Sequence, residues 1–333
     1  MSTAGRSVAC WVAVARNEEF ERRLVDHPDD RETWTVYADW LESQGDPRGE
    51  LIALELRFRE TKNDAKLGVL FSAVYARVMT PLVEELEAQT GTNIGCSRGF
   101  ISNVTLGERK MAAPLAAMVG ALFDHPLSGL LSSLVLRDRD GNGVGAIAVL
   151  GERAPRSLRD LRLDFGLELA SLAPLHTLTN LEELACSEIR DGSPALHSIA
   201  AAPWPLRKLD LSLVAAPAPS DAISQLLLRG DLQLEELRVS VSGRDGAPEQ
   251  QLASAIARAM VESPSAASLR RLTIYAPLQR ADYNLLVTHV HRFRMLHDVQ
   301  LPSRTFTNRI TEAIAPQRDA HYRAARGTSS EDE

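Results

Sequence analysis

A six-residue unit, leucine-x-x-leucine-x-leucine, constrains this chain more than any other feature. It stands at Leu131-x-x-Leu134-x-Leu136, Leu158-x-x-Leu161-x-Leu163 and Leu206-x-x-Leu209-x-Leu211. Conservative variants stand at Leu181-x-x-Leu184-x-Cys186, Leu234-x-x-Leu237-x-Val239 and Leu269-x-x-Leu272-x-Ile274. Two looser copies flank them, Ile101-x-x-Val104-x-Leu106 and Leu296-x-x-Val299-x-Leu301. Self-similarity of this kind is the signature of stacked repeats. Side chains alternate along a strand, so the fourth and sixth positions point to one side while the first anchors the turn into the strand. Three apolar side chains cannot make a core alone; stacked units bury them in a continuous column. From Leu106 to Leu301 the sixth positions lie 30, 27, 23, 25, 28, 35 and 27 residues apart. That is too long for a hairpin and suits a strand, an outer helix or turn, and a parallel return.

These units resemble the leucine-rich repeat family over residues 99–302. The family pattern continues with Asn or Cys three positions after the sixth residue, where this chain has Arg109, Arg139, Gly166, Ile189, Val214, Ser242, Pro277 and Arg304. The missing asparagine ladder and long spacing resemble the irregular, longer-repeat branch. The resemblance implies an α/β leucine-rich repeat solenoid with parallel strands on the concave face and helices outside.

The N-terminal part reads as helical. Val8–Val25 has apolar residues at helical spacing. Asp29 with Glu32 forms a capping box for the next helix, whose Trp34, Tyr37, Ala38 and Leu41 make one apolar stripe ended by Gly45. Asp46-Pro47 then starts a helix over Arg48–Glu60. Residues 62–89 continue as helix with a break expected at Pro81. The run Tyr37-Ala-Asp-Trp-Leu41 with Gly45-Asp-Pro-Arg-Gly-Glu50 resembles the repeat-companion domain of bacterial repeat proteins, as does Arg98-Gly-Phe-Ile101. That resemblance implies architecture and no catalytic residue. The expected organisation is a flexible N-terminus over 1–15, a helical companion or cap domain over 16–95, a solenoid over 96–316 and a disordered acidic tail over 317–333. The cap would cover the open edge of the first repeat. Outer helices are expected over Lys110–Asp124, Gly145–Arg153, Leu167–Leu178, Pro194–Ala202, Ser220–Gly230, Pro248–Glu262 and Ala281–Phe293.

Composition narrows the function classes. The net charge of -7 argues against a dedicated nucleic-acid surface, which carries a basic excess. The three cysteines, Cys10, Cys96 and Cys186, are far apart and form no C-x-x-C, which fits a reducing compartment. No stretch reads as ~20 consecutive apolar residues, the length a membrane helix needs. A cytoplasmic, monomeric protein without cofactor is expected.

Motifs that would carry chemistry are few. Asp138-Arg-Asp140-Gly-Asn142-Gly143 matches the opening of a calcium loop, but the closing Glu is replaced by Val149 and a strand precedes it. It reads as a polar turn, with Asp138, Asp140 and Asn142 as weak metal candidates. There is no H-E-x-x-H, no G-x-S-x-G and no phosphate-binding glycine loop. Asp39, Asp46, Arg48 and Glu50 could form an exposed docking site; the alternative is a local cap and ion pair fixing a helix corner.

What remains is the solvent-facing side of the strands. The third positions are Asn103, Ser133, Asp160, Glu183, Lys208, Glu236, Arg271 and Asp298; the fifth are Thr105, Val135, Arg162, Ala185, Asp210, Arg238, Thr273 and Gln300. At the strand spacing of about 4.8 Å they form ladders. From Glu183 onward the third-position charges alternate, which makes either a self-neutralised surface or a mixed-charge strip for a protein partner. The candidate contacts are Arg162, Lys208, Asp210, Glu236, Arg238, Arg271 and Tyr275. The reading is a non-enzymatic protein–protein interaction module; the competing reading is an ion-dependent regulator or enzyme using the Asp138 turn.

Overall fold

The computed structural model describes residues 14–327 apart from 62–63, 91, 93, 108–112, 139–142, 168–170, 218–219 and 244–245. Helix α1 (Glu18–Asp26) starts where the Asn17 side chain accepts the N–H groups of Glu19 and Phe20. The helical spacing that begins at Val8 therefore becomes helix only from Glu18 among the described residues; residues 1–13 lie outside them. Helix α2 (Arg31–Ser43) is capped by Asp30 rather than Asp29. The Asp30 carboxylate takes both the N–H (3.2 Å) and the hydroxyl (2.6 Å) of Thr33, two donors that no Asp29–Glu32 box would use. At the other end Gly45, with φ of 72°, and Asp46 return their N–H groups to Glu42 and Leu41, which closes α2 as a Schellman turn.

Helix α3 (Arg48–Glu60) packs against both α2 and α4 (Ala65–Thr90). Pro81 lies inside α4, so the break expected there does not occur. Val78, Met79, Val83 and Leu86 are buried on both sides of the proline, and their packing holds the helix through the missing hydrogen bond. The stretch Ala65–Glu84, with mean hydropathy 1.3, is long and apolar enough to cross a membrane by length and composition, although Lys66 and Arg77 keep it from being an unbroken apolar run. Here it buries Val74, Val78, Met79 and Val83 against the protein and exposes Val69 and Leu70.

A nine-stranded sheet follows, with its strands side by side in chain order. β1 (Ile94–Ser97) pairs antiparallel with β2 (Phe100–Leu106); Arg98 and Gly99, at φ of 51° and 73°, make the tight turn between them. All later neighbours are parallel: β3 (Ser133–Arg137), β4 (Asp160–Asp164), β5 (Glu183–Arg190), β6 (Lys208–Val214), β7 (Glu236–Ser242), β8 (Arg271–Tyr275) and β9 (Asp298–Gln300). The connections carry α5 (Leu115–Asp124), α6 (Val144–Arg153), α7 (Pro194–Ala201), α8 (Ala222–Leu227), α9 (Gly246–Glu262) and α10 (Arg280–Thr288). Successive connecting segments touch one another, so they form a second layer beside the sheet. The helix expected over Leu167–Leu178 is instead a 3-10 turn at Ala173–Thr177, which Pro174 opens. After β9, α11 (Arg304–Gly327) continues through residues expected to be disordered from 317; residues 328–333 lie outside the described ones.

The register is that of the six-residue unit. Val104, Leu134, Leu161, Leu184, Leu209, Leu237, Leu272 and Val299 lie side by side, as do Leu106, Leu136, Leu163, Cys186, Leu211, Val239 and Ile274. All three apolar positions of every unit are buried, in one hydrophobic cluster that runs from Leu51 in α3 to Ile314 in α11. A smaller cluster of Leu24, Trp34, Tyr37, Ala38, Leu41 and Ile52 closes around Phe100 of β2. The N-terminal helices thus dock on the β1–β2 hairpin, and α1 and α4 also reach past it, where Arg159 donates to the Val25 carbonyl at 2.9 Å and α4 touches α5.

Candidate functional site

Because side chains alternate along each strand, the residues between the buried positions face away from the helical layer. The pairing brings Asn103, Ser133, Asp160, Glu183, Lys208, Glu236, Arg271 and Asp298 into one row. Thr105, Val135, Arg162, Ala185, Asp210, Arg238, Thr273 and Gln300 form the row beside it. Between and beneath these side chains lies a shallow trough of about 510 Å³. Six of the seven candidate contacts line it: Arg162, Lys208, Asp210, Glu236, Arg238 and Arg271. Tyr275 stands at its rim, its ring 5.5 Å beneath the Arg238 guanidinium and its hydroxyl donating to Gln300 Oε1 at 3.0 Å. Small Ala185, between Arg162 and Asp210, leaves the floor open at the middle of the row.

The charges in the trough are partly spent on one another. Lys208 Nζ donates to Glu183 at 2.6 Å. Arg271 donates to Glu236 at 3.0 Å and to Asp298 at 3.1 Å, on the strands either side. Arg162 Nε donates to both Asp164 oxygens, at 2.9 and 3.1 Å. Arg238 is 3.9 Å from Asp210. Exposed pairs of this kind contribute ~0.2–1 kcal/mol each, while full burial of one leucine contributes ~1.5–3 kcal/mol. The apolar column therefore holds the sheet together, and the charged rows are free to serve another purpose. Desolvation pushes the Asp210 carboxyl above its ordinary value, against the pull of Arg238 and Arg162. Asp160 is raised by the same cause, with neighbouring Glu183 adding to it, although Ser133 donates to it at 2.7 Å.

Several residues of this face were not among the candidate contacts. Asp160, Glu183 and Asp298 also line the trough; the signal was their place in the third row. One step earlier in each unit, the second positions form a further charged ladder in which Arg159 pairs with Glu182, and Glu235 with Arg207 and, at 3.6 Å, Arg270. Charges at Arg159, Glu182, Arg207, Glu235 and Arg270 were legible in the repeat and mark this edge.

The other candidates are placed differently. Asp46 and Arg48 do not form an exposed docking site: both are buried, with Arg48 donating to Asp46 (2.7 Å) and to the Ala15 carbonyl (2.5 Å) and lying 4.9 Å from the Phe100 ring centroid. Asp46 also accepts the Arg48 N–H at 3.0 Å, so it caps α3 and fixes the corner at once. Glu50 pairs with Arg77 at 2.5 Å on the surface, and Asp39 is exposed. Of the calcium-like turn, Asp138 is buried at the end of β3, and its N–H reaches the Asp164 carbonyl at 3.4 Å. Asp140 and Asn142 lie outside the described residues. Among the described residues no group of three His, Cys, Asp or Glu side chains is placed to hold a metal ion. No protein-family model and no curated protein matches the chain.

Proposed function

We propose that this protein is a non-enzymatic interaction module, built as a leucine-rich repeat solenoid with an N-terminal helical cap, that recognises a protein partner along the open face of its sheet. In this reading that face is the concave side of the solenoid and the helical layer its convex side. The observation that carries the proposal is the trough itself: mixed charge, Arg and Tyr side chains and a small central residue, presented in rows by a rigid sheet. Arg and Tyr dominate the energetic centres of interfaces because each brings apolar area together with hydrogen bonds. Near-balanced charge suits a protein surface better than a polyphosphate backbone, which needs a one-sign field. The reading places the protein in the cytoplasm, in keeping with the free thiols of Cys96 and Cys186.

The test is quantitative capture from a lysate of the source organism on immobilised full-length protein. Wild type is run beside Arg162→Glu, Arg271→Glu and an outer-layer control, Arg258→Glu in α9. A partner that is retained by wild type and the control but lost by both face variants supports the reading. Equal retention by all four proteins, or loss only in the α9 variant, sinks it.

A further inference from the structure

The charged rows have one gap. Arg271 stands between two carboxylates, Glu236 on one neighbouring strand and Asp298 on the other, and donates to both. Arg238 stands in the adjacent row with Asp210 on one side and Thr273 on the other. Its approach to Asp210 is 3.9 Å, and it makes no hydrogen bond among the described residues. Arg162, Lys208 and Arg271 all do. The Arg238 guanidinium is held instead over the face of Tyr275. Thr273, beneath them, is only 5% exposed and lines the trough, yet its hydroxyl also has no hydrogen-bond partner among the described residues.

We propose that Arg238, held on Tyr275, anchors a single carboxylate from the partner, an Asp or Glu side chain that enters on the Thr273 side. This rests on the reading of the open face as a protein-binding surface. A cation–π contact holds a guanidinium near a ring without using its N–H groups. Those groups match a carboxylate through two parallel hydrogen bonds. The Thr273 hydroxyl supplies a further donor at the same place. Asp210 and Glu236 flank the site, so a phosphate dianion is repelled more strongly than a monovalent carboxylate. The partner's carboxylate would complete for Arg238 the two-sided arrangement that Arg271 already has within the sheet.

The probe is the blocked peptide acetyl-Ala-Glu-Ala-amide, titrated into the full-length protein while arginine side-chain Nε–Hε resonances are followed by NMR. The matching Gln and phosphoserine peptides are controls. The expected result is a saturable shift of one resonance that is absent from the Arg238→Gln spectrum. Binding of the Gln peptide should be weaker by about ten- to a hundredfold, the worth of a charge-assisted pair. Tyr275→Leu should weaken the Glu peptide about three- to tenfold, with no change in thermal melting. Equal shifts from Glu and Gln peptides, no saturable shift with either, or an unchanged shift in Arg238→Gln would overturn the assignment. Tighter binding of the phosphoserine peptide would overturn it as well, in favour of a phosphate site. Partner capture separates this from the reading beneath it: retention that survives Arg238→Gln but is lost in Arg162→Glu overturns the anchor alone.

Discussion

Two carboxylates show how differently one residue type can be used here. Asp46 is buried against Arg48, caps α3 and accepts the Ala15 N–H at 3.1 Å. Removing one member of such a pair leaves a buried charge. Asp46→Ala should therefore cost about 3–5 kcal/mol in urea unfolding. The double variant Asp46→Asn with Arg48→Met, which removes both charges and keeps the volumes, should cost clearly less; equal costs would show that a stranded buried charge is not what matters. Asp210 is the opposite case. Desolvation, the largest cause, raises its pKa in the folded protein above the unfolded value, so above that raised pKa the charged carboxylate opposes folding. Asp210→Asn should be as stable as wild type or more stable at neutral pH. As pH falls through the raised pKa toward the ordinary carboxylate range, the wild-type group becomes protonated in both states and the difference should close. Thermal melts across that window measure it. A gap that widens on acidification would show that the pairing with Arg238 and Arg162 outweighs desolvation.

Elements were legible where a period exceeded local propensity. The strands follow from the leucine spacing because period-two alternation fixes both which residues are buried and which face outward, and even the row membership of Arg238 and Thr273 came with it. β1 was missed: it is four residues long, and only its pairing with β2 makes it a strand. Arg98-Gly99, a pair able to take positive φ twice, was its one local signal. The pairings of the charged residues were not legible, since a row gives neighbours but not the rotamers that let Arg271 reach two carboxylates and leave Arg238 on Tyr275. Pro81 was read as a break because proline removes a hydrogen bond and clashes with the preceding turn. The buried residues on either side outweigh that local cost. If so, Pro81→Ala should stabilise the protein by about 1–3 kcal/mol in chemical denaturation. A loss of stability would mean that α4 needs the local geometry proline imposes.

At the scale of the molecule, the sheet and its helical layer share one hydrophobic cluster, and the N-terminal helices and α11 contribute to it from the two ends. A continuous core of this kind makes the open face a stiff platform, whose rows keep their spacing whether or not anything is bound. In the proposed reading this platform, and not the helical layer, meets a protein partner. The most direct measure of that reading is site-specific photocrosslinking in cells of the source organism, with a photoreactive residue placed in full-length protein at Ala185 in the trough or at Arg258 on α9. The expected result is a discrete crosslinked protein adduct from position 185, diminished by Arg162→Glu in the same chain, and none of that size from position 258. An adduct from position 258 with none from position 185 would contradict it.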